Sequence, residues 1–387
     1  MSKLTTSLVV GLGLVAFAGC KKKKEEGTVQ KPTEGVTKDN GSAAKPPEAE
    51  KPMSGADLAK KYQTCVAMIN DSKWDDFKGT CIDASYVGHE YGHDMSGADT
   101  VLGYFQAMKK AMPDWKLTPQ LIIVSGRNIL AVELATGTQS GELAMPGMPP
   151  IPATNKKVGQ LFFHRLAIND QNKATEEWAF DDPATMMGQL GLAPKDAPPT
   201  RPAMDKGIEG APIVVVTADD PKEKANIEAF KKGADAFNAH KTNDLMAMMT
   251  PDAVMMDQAD AADKKGKDIE ASVKMIMGAF SDIKAVNTEN WGAGDYVVET
   301  GKMEGTHDHD LGKLKKTGKK VSLDYAEIAH FKDGKVDQLW RFHSGMQFAG
   351  QLGLMPEMPA GGAPAAGSAA APADKAAAPA DKKPATK

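Results

Sequence analysis

The side chains of this chain that could hold a metal or move a proton fall into a few short clusters. His89-Glu90-Tyr91-Gly92-His93 places two imidazoles four residues apart around a glutamate, the spacing of a zinc-binding helix. Gly92 disfavours a helix there and no third ligand follows, so the segment reads as a polar strand or loop. His307-Asp308-His309 puts both imidazoles on one face of a strand. Without a third converging ligand, that alternation is the pattern of a polar sheet face. Asp182 stands directly before Pro183, the arrangement of a residue that caps a helix beginning at the proline, and an isosteric Asn would cap equally well. These clusters predict neither a metal site nor a cofactor.

The N-terminus carries a different chemistry. Lys3 is followed by a mostly apolar stretch from Leu4 to Phe17 that ends in Phe17-Ala18-Gly19-Cys20. The stretch is shorter than the roughly 20 apolar residues that span a bilayer. It has the layout of a secretory signal with a bacterial lipobox, in which the Cys20 thiol receives diacylglycerol after cleavage. Lys21 to Lys24 and a Pro, Lys, Glu, Gly and Ser-rich run to about Pro52 follow. Such a run buries too little apolar surface to offset its ordering entropy, so it reads as a solvated tether. Residues from Ala360 to Lys387 are almost all Ala, Pro, Gly, Lys, Asp and Ser, a second extended tail. The expected location is the cell envelope, anchored to a membrane through lipid on Cys20. Lys21 in place of Asp favours an outer membrane, with the protein facing the periplasm or the cell surface. Export also favours pairing of Cys65 with Cys81 in a disulfide. A net charge of −4, without a basic stripe interleaved with aromatics, excludes a nucleic-acid partner.

Between these ends the chain repeats itself. Gly188-Gln189-Leu190-Gly191-Leu192-Ala193-Pro194 returns as Gly350-Gln351-Leu352-Gly353-Leu354-Met355-Pro356. Thr154-Asn155-Lys156-Lys157-Val158 returns as Thr317-Gly318-Lys319-Lys320-Val321, and Trp178 as Trp340. Gly126 and Gly137-Thr138 match Gly294 and Gly305-Thr306 in the same order. The shared order and nearly constant offset define a tandem duplication. The expected organisation is a signal peptide (1–19), a tether (20–54), a first domain (55–195), a linker (196–222), a second domain (223–358) and a tail (359–387).

Each copy opens with helical periodicity. Leu58, Tyr62, Cys65, Met68 and Ile69 share one face, as do Ile227, Phe230, Ala234 and Phe237. A second helix follows Gly97 in one copy and Gly266 in the other. The rest is strand-like: Leu121 to Val124, Ile129 to Leu134 and Val158 to Leu166, then Tyr296 to Thr300, Val321 to Phe331 and Val336 to Phe342. Asp333-Gly334 is a hairpin turn signal. Helices before an antiparallel meander predict an α+β fold.

The run Met112-Pro113-Asp114-Trp115, Gly126, Gly137-Thr138, Thr154-Asn155-Lys156, Glu177-Trp178 with Asp182, and Gln189-Leu190-Gly191 resembles the SnoaL-like polyketide or ester cyclases of the nuclear transport factor 2-like superfamily. The resemblance covers Gly55 to Pro194 and Asn226 to Pro356. It implies two cones, each a curved antiparallel sheet wrapped by N-terminal helices around an apolar pocket. It also implies that Asp182 is an acid or base acting on a carbon acid, with Trp178, His89 (or Glu90) and Phe105 at the pocket of copy one. Copy two has Ser344 where copy one has Asp182. Copy two keeps His307 in the Gly-Thr-His motif, where copy one has Gln139. Trp340, His307 and His343 are its corresponding pocket candidates. Because neither copy holds the full polar pair, two functions are carried forward. One is binding of an apolar small molecule without catalysis, the two domains pairing as a pseudo-dimer. The other is a cyclase or isomerase working in the first domain. The Met- and Pro-rich loop from Ala144 to Pro152 has no counterpart in copy two and suits an irregular apolar ligand.

Overall fold

A computed structural model describes residues 51–90, 93–144, 150–195 and 197–354. Cys20, the signal segment, most of the tether, the tail and the middle of the Met-Pro loop lie outside the described residues.

The first domain begins with α1 (Gly55–Asn70), whose N-terminal amides are met by the Ser54 hydroxyl at Asp57 N. Then come α2 (Trp74–Thr80), β1 (Ile82–Glu90), β2 (His93–Ser96) and α3 (Ala98–Ala111). A meander of β3 (Lys116–Ser125), β4 (Asn128–Thr138), β5 (Lys157–Ile168) and β6 (Ala174–Phe180) closes with α4 (Pro183–Gln189). The stretch read as a linker contributes β7 (Ile213–Val216), which extends the first sheet by pairing parallel to β3. Its four β-branched residues suit a strand. The second domain repeats the series of the first as α5 (Pro221–Asn238), α6 (Thr242–Ala247), β8 (Met249–Asp257), β9 (Lys264–Lys265), α7 (Lys267–Ala279), β10 (Lys284–Ala293), β11 (Tyr296–Thr306), β12 (Lys320–Lys332), β13 (Lys335–His343) and α8 (Gly345–Gln351). Strand order is β2-β1-β6-β5-β4-β3-β7 in the first sheet and β10-β11-β12-β13-β8-β9 in the second.

The recurring residues fasten this frame. Asn70 and Asn238 each clamp the backbone of a strand, at Leu117 and Ala285, with their amides donating and accepting. The Gln of each Gln-Leu-Gly motif does the same, Gln189 at Gly159 and Gln351 at Ser322. Asp114 and Asp282 accept from the N–H of Thr138 and Thr306 at 2.7 and 2.6 Å. Asp333 and Gly334 have φ of 51° and 75°, as a two-residue hairpin turn requires.

Both faces of each sheet carry buried apolar residues. Inward residues such as Ile122, Ile129, Phe162 and Ile168 meet α1 and α3 in the first cone. The alternating outward residues meet the other domain: Leu121, Val132, Leu161 and Phe163 form one core with Val298, Ile328, Trp340 and Phe342. Phe163 and Phe342, both fully buried, have ring centroids 5.9 Å apart. The Arg165 guanidinium lies 4.3 Å from the Trp178 ring and 4.5 Å from the Trp291 ring, and is paired to Glu289 of the second domain.

Cys65 on α1 and Cys81 after α2 are joined by a disulfide, with Cα atoms 5.9 Å apart. The loop it closes is about the length for which chain entropy gives roughly 3 kcal/mol. No free thiol is expected from these two cysteines in the denatured, unreduced protein, and reduction should lower the unfolding midpoint. Maleimide labelling before and after reduction checks the first point, and thermal melts check the second.

Candidate functional site

The polar residues inside the first cone come from strands whose inward rows are otherwise mostly apolar. His164 sits on the inward row of β5 between Phe162 and Leu166, and Glu133 interrupts β4 between Val132 and Leu134. Glu177 is the inward neighbour of Trp178 on β6. Together with Tyr62 from α1 and Tyr86 from β1 they line a cavity of about 70 Å³, room for a few waters or one small molecule.

The geometry is that of an imidazole between two carboxylates. His164 Nδ1 is 2.5 Å from Glu177 Oε1, and the Tyr86 hydroxyl donates to the other Glu177 oxygen. Glu133 Oε1 accepts from the Tyr62 hydroxyl at 2.9 Å. His164 Nε2 makes no hydrogen bond and lies 3.8 Å from Glu133 Oε2, a separation that one oxygen atom can bridge at hydrogen-bond length to both. Burial would pull the His164 imidazole down, but the charge and hydrogen bond of Glu177, and then the charge of Glu133, outweigh it and raise it to about 9. Burial pushes Glu177 up, yet the His164 charge and hydrogen bond and the Tyr86 hydroxyl hold it below the usual carboxylate range. Glu133 is raised by burial, which the His164 charge and Tyr62 offset only in part. Glu90 is raised by burial and then by Glu177. At neutral pH this is a buried imidazolium with its free N–H aimed at a carboxylate whose proton affinity is enhanced, a combination suited to proton transfer.

Of the residues singled out in the sequence, Phe105 lines the cavity and Glu90 lies near enough to feel the charges of Glu177 and His164, whereas the others lie elsewhere. Trp178 points to the outer face, stacked on His89 at 4.9 Å and on Arg165. His89 Nδ1 also meets Asp94 at 2.7 Å. Asp182 is the N-cap of α4 and is almost wholly buried: Oδ1 accepts from Ala184 N and, across the domain boundary, from Gly345 N, while Oδ2 accepts from Thr185 N and its hydroxyl. Both oxygens are therefore occupied by donors, and Asn is not the equivalent cap that the sequence suggested. Asp182→Asn turns an NH₂ toward a donor and is expected to cost about 1–3 kcal/mol, with the cross-domain bond weakened. Urea unfolding measures this. Ser344 caps α8 through Gln347 N.

In the second domain Trp340 belongs to the core between the sheets. His307 Nδ1 meets Thr317 at 3.1 Å and braces a loop, the task Gln139 performs in the first domain through Thr154. His343 Nε2 is held by Asp257 at 3.1 Å. Strand register shows what replaces the imidazole. The row Ala131, His164, Ala179 corresponds to Glu299, Glu327, Arg341, and Leu339 stands at the place of Glu177. Among the described residues no His, Cys, Asp or Glu group is arranged to hold a metal ion.

A cone of helices and curved sheet, duplicated and enclosing one cavity per copy, defines the class. The sequence pattern of the SnoaL-like polyketide cyclases matches residues 56–190 and 228–352, and the chain belongs to that family in two tandem copies. Solved structures similar to it each span about one domain. AclR from Streptomyces galilaeus is 20% identical, with 35% of this chain and 99% of that one covered and a TM-score of 0.33. IdmH from Streptomyces antibioticus is 18% identical, with 33% and 98% covered and a TM-score of 0.30. Bal32a from a soil-derived mobile gene cassette is 20% identical, with 34% and 96% covered and a TM-score of 0.29. No curated protein matches the chain.

Proposed function

We propose that the first domain is a proton-transfer site of the cyclase or isomerase type, acting on a small carbonyl compound with an acidic C–H bond. The observation that carries this reading is the buried His164 Nε2 without a hydrogen bond at the cavity, 3.8 Å from Glu133. In this scheme the Glu133 carboxylate takes the proton from the carbon next to the carbonyl. The electron pair moves to the carbonyl oxygen, to which His164 Nε2–H donates. Return of the proton at a different carbon completes an isomerisation, and attack by the enolate carbon on an electrophile completes a ring closure. Glu177 keeps the imidazole charged and turned toward the cavity. The second domain lacks this set and serves the first as a packing partner, a pseudo-dimer within one chain. The lipobox at Cys20 supports export and lipid anchoring of the whole.

Exchange of the α-protons of cyclopentanone, cyclohexanone and 2-cyclopentenone in D₂O, followed by proton NMR, tests the chemistry. Catalysed exchange is expected with the wild type. It should fall by about 10²-fold or more in His164→Gln and Glu133→Gln, the scale of general acid–base catalysis, and stay unchanged in Ser344→Ala. Exchange no faster than buffer for all three ketones overturns the proposal. The reading left would be binding without turnover, which the capping role of Asp182 favours.

A further inference from the structure

The second cone is not an empty copy of the first. Its cavity, about 100 Å³, is walled by Phe230, Phe237, Met248, Met303 and Tyr325, and three charged side chains enter it. Their partners can be traced. Arg341 Nε donates to Glu327 at 2.5 Å, and its guanidinium lies 3.9 Å from Asp257, which also holds His343. The two cations, Arg341 and His343, are thus matched by two carboxylates, Glu327 and Asp257. Glu299 is left over. Its Oε1 accepts from the Tyr325 hydroxyl at 2.6 Å, whereas Oε2 is buried and accepts no hydrogen bond. The residue is 2% exposed. A buried acceptor without a donor has given up its bond to water with nothing in exchange, and this one faces a cavity.

We propose that the second domain binds a small alkylammonium ion, with the Glu299 carboxylate as its counter-ion and the surrounding methionines and aromatic residues as its apolar seat. An ammonium group supplies both the missing donor and the missing charge. Aromatic rings attract such a cation, and thioethers adapt to an irregular alkyl group. An anion would face two carboxylates whose one near cation is already paired. A neutral alcohol would satisfy the hydrogen bond but leave the charge. The volume limits the alkyl part to about a single small ring, since apolar cavities of about 150 Å³ accept benzene. Burial holds the Glu299 carboxyl up at about 7, reinforced by the Glu327 charge and offset only in part by the Tyr325 hydroxyl and by the nearby Asn290 side chain, which makes no hydrogen bond to Oε2. A cation entering the cavity therefore completes its ionisation. The site is independent of the chemistry proposed for the first domain.

Calorimetric titration of the full mature chain with cyclopentylamine, cyclopentanol and cyclopentanecarboxylate tests the assignment. The amine is expected to bind at least ten-fold more tightly than the alcohol, and the carboxylate not at all. Glu299→Gln should bring the amine to the level of the alcohol and leave ketone exchange in the first domain unchanged, and His164→Gln should leave amine affinity unchanged. In the wild type, the methyl NMR signals of Met248 and Met303 should shift on addition of the amine, a readout that needs no variant. Equal affinity for amine and alcohol, amine affinity that survives Glu299→Gln, or methionine signals that do not move would each overturn the proposal.

Discussion

Between pH 6.5 and about 9 the protein is expected to lose about 3 kcal/mol of stability through His164, since each tenfold gain in proton affinity on folding is worth about 1.4 kcal/mol. The sign follows from proton counting. Above pH 6.5 the unfolded chain releases the His164 proton, whereas the folded chain keeps it until about pH 9. Stability from this group is therefore complete below 6.5 and is lost as pH rises through the folded value. Glu177 works in the opposite sense: its carboxyl is held below the usual range, so its contribution is present above that range and lost as pH falls through the folded value. Together they make the pair most stabilising between the ordinary carboxylate range and pH 6.5. Other groups titrate as well, among them Glu299 at about 7. The measurement is therefore a difference: urea unfolding of the wild type and of His164→Gln/Glu177→Gln at about pH 6 and about pH 9.5, either side of the window. The variant should lack the fall of about 3 kcal/mol, and equal pH dependence of the two proteins would contradict the prediction.

The second large effect lies between the domains. Phe342 is fully buried, in a core built from the outer faces of both sheets, and packs against Phe163 of the other domain. Truncation of a buried Phe typically costs about 3–5 kcal/mol, through lost transfer energy and the cavity left behind. Phe342→Ala should lower stability by that amount, and the loss should reach both domains because the core belongs to both. Wild-type unfolding should follow one transition, with near-ultraviolet circular dichroism and the pH-dependent part attributed to His164 moving together. A variant in which both domains unfold below the wild-type midpoint, together or in separated steps, would show that the shared core couples the domains. Loss of stability in the second domain alone would contradict the coupling.

The repeat, the α+β class, the helical faces of α1 and α5 and the turn at Asp333-Gly334 were all legible in the sequence. Each depends on local periodicity or on turn chemistry, which a sequence displays directly. β7 was missed, because Ile213 to Val216 falls in a stretch rich in Pro, Asp and Lys and becomes a strand only by pairing with β3. The site was missed for a more instructive reason. Recurrence points to Trp178 and Gln189, and the family resemblance to Asp182, and these are the residues that cap helices, clamp strands or pack the domains together. His164, Glu133 and Glu177 do not recur, since the corresponding positions hold Glu327, Gly301 and Leu339. Duplication preserved what holds the fold and released what lines the cavity. The available signal was the interruption of an apolar strand by one ionisable residue. Glu133 lies within the run Ile129 to Leu134 and His164 within Val158 to Leu166, and such a residue on the inward row must face the cavity. Likewise Glu177 and Trp178 are neighbours on one strand, so only one of them can point inward.

The buried imidazolium between Glu177 and Glu133 is central to the proposed chemistry, and nitrogen NMR of the mature protein labelled at histidine reads that state directly. At about pH 7.5, well below the folded value, both ring nitrogens of His164 should carry protons, with deprotonation near pH 9. Glu177→Gln should lower that midpoint toward the ordinary histidine value. A His164 ring that is neutral at about pH 7.5 and titrates at or below the ordinary value of about 6.5 would contradict the account.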